Sequence, residues 1–256
     1  MAQLYQNLIL KNPKAIFIIL LFAILSFGYY TKDFRLDASS ETLLIDGDPD
    51  LAYLQEVSKR YGSKEFLILT YTPKEGMITD SSINNLLSLK YKIQSLDWVH
   101  SVITLLDIPL LDNSDAPLQE RLESFKTLKD EDVDRKRGFE EILNSPVFRN
   151  FVVSEDGKTS GIIVNIKENN KLDDIENKSK NEIEIYKDQI KKQNHQNILE
   201  IRQVIQSYKD VGKIYLGGIP MIADDMMTFI KSDIIVFGIG VLLFIVATQG
   251  RLLFSY

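Results

Sequence analysis

The chain of 256 residues contains no cysteine, which removes thiol nucleophiles, thiolate metal sites, redox pairs and disulfides together. Histidine is scarce: His100 and His195 are the only two, and they lack the i, i+4 spacing with further ligands that a metal centre needs. Positive charge is not in excess. Thirty Lys and Arg stand against 36 Asp and Glu, a net charge of -6, so the chain lacks the basic face that displaces counterions from nucleic acid. Seven prolines and 13 glycines are too few for a fibrous or linker-like chain.

Charge itself is missing from two stretches, Ala15 to Tyr30 and Ile234 to Gly250. As helices rising about 1.5 Å per residue, each covers most of a hydrocarbon core of roughly 30 Å. Lys11, Lys14, Lys32 and Asp33 flank the first run and can reach the headgroups, while Tyr29 and Tyr30 suit the interface. Ser26-Phe27-Gly28 also fits the small-residue pattern of a leader-peptide cleavage site. Either way, the two lysines ahead of the run predict a cytoplasmic N-terminus. The mean hydropathy of -0.08 describes neither part of the chain, because residues 31–233 hold 27 basic and all 36 acidic residues, a net of -9.

The expected organisation is a cytoplasmic tail at 1–14, a transmembrane helix at 15–31 and an extracytoplasmic domain at 32–232. A second transmembrane helix at 233–250 is entered through a stalk helix from about 220, and a short tail at 251–256 follows. The location implied is a bacterial-type inner membrane, with the domain on the periplasmic side.

Within the domain, Leu51, Leu54, Val57 and Tyr61 recur at helical spacing up to Gly62. Phe66 to Tyr71, ended by Pro73, reads as a strand buried on both faces. Asp80 or Ser81 can cap a helix with the stripe Ile83, Leu86, Leu89 or Lys90, Ile93 and Leu96, and Val99 to Leu105 reads as a second strand.

Residues 107–146 read as a helical insertion, with Leu118, Leu122, Phe125 and Leu128 on one face and Phe139, Ile142 and Leu143 on another. Phe151 to Ser154 and Gly161 to Ile166 flank Asp156-Gly157, a strong hairpin signal. A long helix over about 172–208 carries Ile183, Tyr186, Ile190, Ile198, Ile201, Ile205 and Tyr208 on one stripe. Lys213 to Gly217 forms a last strand. Strands alternating with helices predict an α+β domain in which helices cover one face of a small sheet, a ferredoxin-like (split βαβ) arrangement with a helical insertion, flanked by the two spans.

Residues that could carry chemistry have simpler roles. Asp173-Asp174 and Asp130-Glu131-Asp132 lie in polar runs, and Asp224-Asp225 falls in the first turns after Pro220, where the helix dipole favours negative charge. Gly217-Gly218-Ile219-Pro220 lacks the Lys-Ser/Thr of a phosphate loop and reads as a tight strand-to-helix turn. The expectation is therefore no catalytic residue, no cofactor and no metal. Met221, Met226, Met227, Phe229 and Ile230 make a flexible apolar cluster on the stalk, and Met226, Met227 and Phe229 are the candidates for lining a greasy substrate's path. Neither uncharged run holds an intramembrane carboxylate of the kind proton-coupled pumps use.

Five stretches in order resemble the RND superfamily of transporters, in its MMPL-like branch of lipid and hydrophobe exporters. These are Leu36 to Ser39 with Asp48-Pro49-Asp50, Arg60-Tyr61-Gly62 running into Glu65 to Leu69, and Ser145-Pro146-Val147-Phe148-Arg149. Val153 to Lys158 and Leu216-Gly217-Gly218-Ile219-Pro220 complete the set. The resemblance implies the N-terminal porter portion of a proton-driven exporter, with the proton-relaying carboxylates in later spans outside these 256 residues. The tail Gln249 to Tyr256 departs from the family, so the expected product is a truncated one, not competent for transport alone. The implied partners are membrane lipids, a hydrophobic or lipid-like substrate, and the remainder of the transporter or a homo-oligomer. Two other readings share the layout: a two-span ligand sensor, and a scaffold or ABC-permease-like outer domain.

Overall fold

The computed structural model describes residues 13–30, 49–50, 53, 56–57, 65–111, 125–167 and 179–254. The chain divides into two compact units, residues 43–224 and residues 1–42 with 225–256.

In the first unit a four-stranded antiparallel sheet is built from β1 (Phe66–Pro73), β2 (Val99–Ile103), β3 (Ser160–Ile166) and β4 (Gly212–Gly217), in the order β2-β3-β1-β4. Helix α2 (Asp80–Gln94) joins β1 to β2, α3 (Arg135–Asn144) precedes β3, and α4 (Lys180–Gln206) joins β3 to β4. The label α1 is kept for Pro13–Tyr30 and α5 for Ile219–Phe254. β1 pairs with both β3 and β4, so each β-α-β unit has a strand of the other unit between its own two strands.

The core lies on one side of this sheet. Leu67, Leu69 and Tyr71 of β1 and Ile162 and Val164 of β3 are buried together with Ile83, Leu86, Leu89 and Ile93 of α2 and Ile198, Ile201 and Val204 of α4. The α2 stripe is the one the periodicity predicts; in α4 the prediction holds for Ile198 and Ile201, whereas Val204 rather than Ile205 is buried and Ile183, Tyr186 and Ile190 are only half-buried. Ser88 Oγ of α2 also meets the hydroxyl of Tyr208, just past α4, at 2.7 Å, and Trp98 Nε1, before β2, donates to Glu200 Oε2 of α4 at 2.9 Å.

β1 corrects the expectation of a strand buried on both faces. Phe66 and Ile68 are 46% and 40% exposed, alternating with buried neighbours. The cause is topological: α2 and α4 both pack on the Leu67 side. Register then sets Ile103, Ile163 and Ile68 side by side across three strands, ending at Gly217 of β4, with the exposed Tyr215 two pairs further along.

Helix ends are set locally. The cap of α2 is Thr79 rather than Asp80 or Ser81, and its Oγ1 accepts the Ser82 amide at 3.2 Å. α4 starts at Ser179, which forms a capping box with Glu182. The earlier start at Leu172, the Leu51 to Gly62 helix apart from helical residues 49–50, 53 and 56–57, and Leu118 and Leu122 lie outside the described residues.

The insertion is helical only in part. α3 buries Ile142, whereas Phe125 and Leu128 are not helical: Leu110 bridges Lys126, and Asp130 Oδ2 takes the Thr127 amide at 2.7 Å to close a turn around Leu128. The Asp156-Gly157 turn forms as expected, with Gly157 at φ +68 and the Ser154 amide donating to Thr159 O at 2.8 Å. Its first arm is shorter than expected. The Phe148 carbonyl takes the Val152 amide at 2.8 Å, which curls residues 148–152 into a turn and leaves only the Val153–Ser160 bridge beside β3.

The second unit contains α1 and the greater part of α5. Among the described residues one helix is long and apolar enough to cross a membrane, over Ile219–Thr248, and the side chains of its apolar window are not buried. α1 is apolar over Ile18–Tyr29, a shorter stretch.

Candidate functional site

The last strand passes into α5 through a single residue. Gly218 sits at φ +120, and a Cβ there would meet the Phe66 carbonyl oxygen at 3.0 Å, so the turn requires glycine. Ile222 N–H then donates to Gly218 O at 3.0 Å, opening the helix. Pro220 in the first turn suits this start, because its missing N–H would have no helical acceptor there.

Two neighbouring residues of α4 grip this first stretch. Asn194 Nδ2 donates to Pro220 O at 2.9 Å, and His195 Nδ1 lies 2.9 and 3.1 Å from the two carboxylate oxygens of Asp224. The Asp224 side chain is only 10% exposed, against 43% for His195. A carboxylate so far withdrawn from water is costly without hydrogen-bond donors, and the imidazole supplies one. From the sequence, Asp224 is accounted for by the helix dipole and His195 as a partly exposed polar side chain, and neither is given the other as a partner. What the sequence lacks is any local signal linking two positions 29 apart in the chain.

The three candidate substrate-path residues lie just beyond this grip, in the second compact unit. Phe229 is 65% exposed and Met226 38%, while Met227 is half-buried. Met221, grouped with them by composition, differs: it packs on the domain core.

Elsewhere in the domain, Asp107, Glu65 and Tyr71 carry shifted pKa values. Burial pushes Asp107 upward, but hydrogen bonds from Lys90 and from the Thr104 amide and hydroxyl outweigh it and hold the carboxyl below its ordinary value. Lys90 Nζ is 2.5 Å from its Oδ1, tying α2 to the 3-10 turn Leu105–Asp107. Burial raises Glu65 at the head of β1, although the residue as a whole is exposed. Burial raises the pKa of the Tyr71 hydroxyl, which Ser82 and Asn85 close by offset only in part; among the described residues it has no hydrogen bond of ordinary geometry.

His100 is exposed at the bulge between Val99 and Ser101 of β2, in a different element from His195. Among the described residues no three His, Asp or Glu side chains gather where they could hold a metal ion. No family model matches the chain, and no curated protein matches it.

Proposed function

We propose that this chain is the N-terminal porter portion of a membrane exporter of the RND type, in its MMPL-like branch, acting without catalytic chemistry of its own on a hydrophobic or lipid-like substrate. On this reading the domain is ferredoxin-like, two interleaved split βαβ units with an insertion after β2. α1 and α5 are its two membrane anchors, and the domain faces the periplasm. Met226, Met227 and Phe229 lie where a greasy substrate would pass from the membrane. Transport itself requires the remainder of the transporter.

The observation that carries the reading is the joint between sheet and helix. One residue separates β4 from a helix of 36 residues whose stretch Ile219–Thr248 is long and apolar enough to span a bilayer, which supports reading the last strand as running almost directly into a membrane anchor. A receptor that only displays a ligand site has no need of so short a joint. A transporter that passes movement between membrane and outer domain does.

The absence of native cysteine makes the topology directly testable. Single cysteines at Gln3 and Lys158 are exposed in intact cells to a membrane-impermeant maleimide. Labelling of Lys158→Cys before permeabilisation, and of Gln3→Cys only after it, is expected; the reverse pattern sinks the outward domain. The exporter assignment has its own test in the gene. The DNA past the codon for Tyr256 should encode further spans and a second domain of similar pattern, and a region lacking both removes the assignment.

A further inference from the structure

The pairing of His195 with Asp224 plays no part in the exporter reading, and the inference drawn from it holds whether or not that reading survives. We infer that Asn194 and His195 form a latch that closes on the first two turns of α5, so that this stretch has a latched and an open arrangement while the sheet beneath stays folded.

Three features make the contact a latch rather than incidental polar packing. Its two arms come from adjacent residues of α4 and land on Pro220 and Asp224, one helical turn apart, so both grip the same face of α5. The Asp224 carboxylate is nearly excluded from water and is centred on the imidazole at 2.9 and 3.1 Å, so closing the latch satisfies a buried charge and opening it lets water do so.

The third feature is the backbone on either side. Gly218 alone stands between β4 and α5, a residue whose φ and ψ can change without moving a side chain. On the far side, Asp224 lies six residues into a helix that runs from Ile219 to Phe254. The polar grip therefore sits at the start of that helix.

Hydrogen exchange on the full chain in lipid nanodiscs tests this, with amides 222–226 as the reporter and amides 67–71 of β1 as the internal reference. His195→Ala and Asp224→Ala are each expected to raise exchange at 222–226 about tenfold, with the reference unchanged. The double variant should exceed either single by no more than about twofold, since one interaction is lost once. His195→Asn, which keeps a donor near the Nδ1 position, should recover most of the protection.

Unchanged exchange at 222–226 in His195→Ala overturns the latch. So does a double variant whose effect is the product of the two singles, about a hundredfold, or a rise shared equally by the reference amides. If His195→Ala does not fold, Asn194→Ala removes only the bond to Pro220; a several-fold rise confined to 222–226 then supports the latch, and no rise there overturns it.

Discussion

The two faces of β1 are made of nearly the same material and have opposite fates. Leu67, Leu69 and Tyr71 are buried under α2 and α4, while Phe66 and Ile68, no less apolar, remain 46% and 40% exposed. Apolar composition therefore did not decide which face became core. The connections did: both helices return on the Leu67 side, so among the described residues no helix of the domain covers the row of Ile103, Ile163 and Ile68.

The largest expected effect comes from the covered face. Leu69→Ala removes a fully buried side chain between two helices and should cost about 3 kcal/mol, the middle of the range for such truncations. Urea unfolding followed through Trp98 reads it directly, because this single tryptophan is hydrogen-bonded to Glu200 of α4 and reports the packed side. A loss below about 1 kcal/mol would mean that the helices are not firmly seated on this face.

A smaller effect is expected at the rim of the packed side. Asp107 holds Lys90 of α2, and Asp107→Asn leaves that half-buried ammonium without its counter-charge, at a cost of about 2 kcal/mol at pH 7. The sign of the pH dependence follows from the lowered pKa. Asp107 contributes its stability above the ordinary carboxylate value, about 3.9, and loses it as pH falls through the lower folded value. The gap between wild type and Asp107→Asn should therefore be constant from pH 5 to 7 and close in strong acid. A gap that widens on acidification would show that Asp107 is not the ionised partner.

Much of this architecture could be read before folding. The stripe of α2, Ile198 and Ile201 of α4, the four strand segments, the Asp156-Gly157 turn and the glycine joint at 217–218 are local patterns, set by periodicity and by the φ each turn needs. What escaped was non-local. Whether Ile68 is covered depends on where two connections return, and the Leu110–Lys126 bridge and the His195–Asp224 pair join positions that no short-range spacing relates. The candidate path residues were chosen by composition, which grouped Met221 with Met226 although one packs on the core and the other does not.

The smallest expected effect is also the sharpest test of the difference between the faces. Ile68→Thr keeps a β-branched residue suited to a strand and removes apolar surface that already touches water, so it should change stability by no more than about 0.5 kcal/mol. Set beside Leu69→Ala in the same titration, neighbouring residues of one strand should then differ about sixfold in cost. If Ile68→Thr instead costs nearly as much as Leu69→Ala, the second face is a core in its own right, closed in solution by another apolar surface, and β1 is a strand buried on both sides after all.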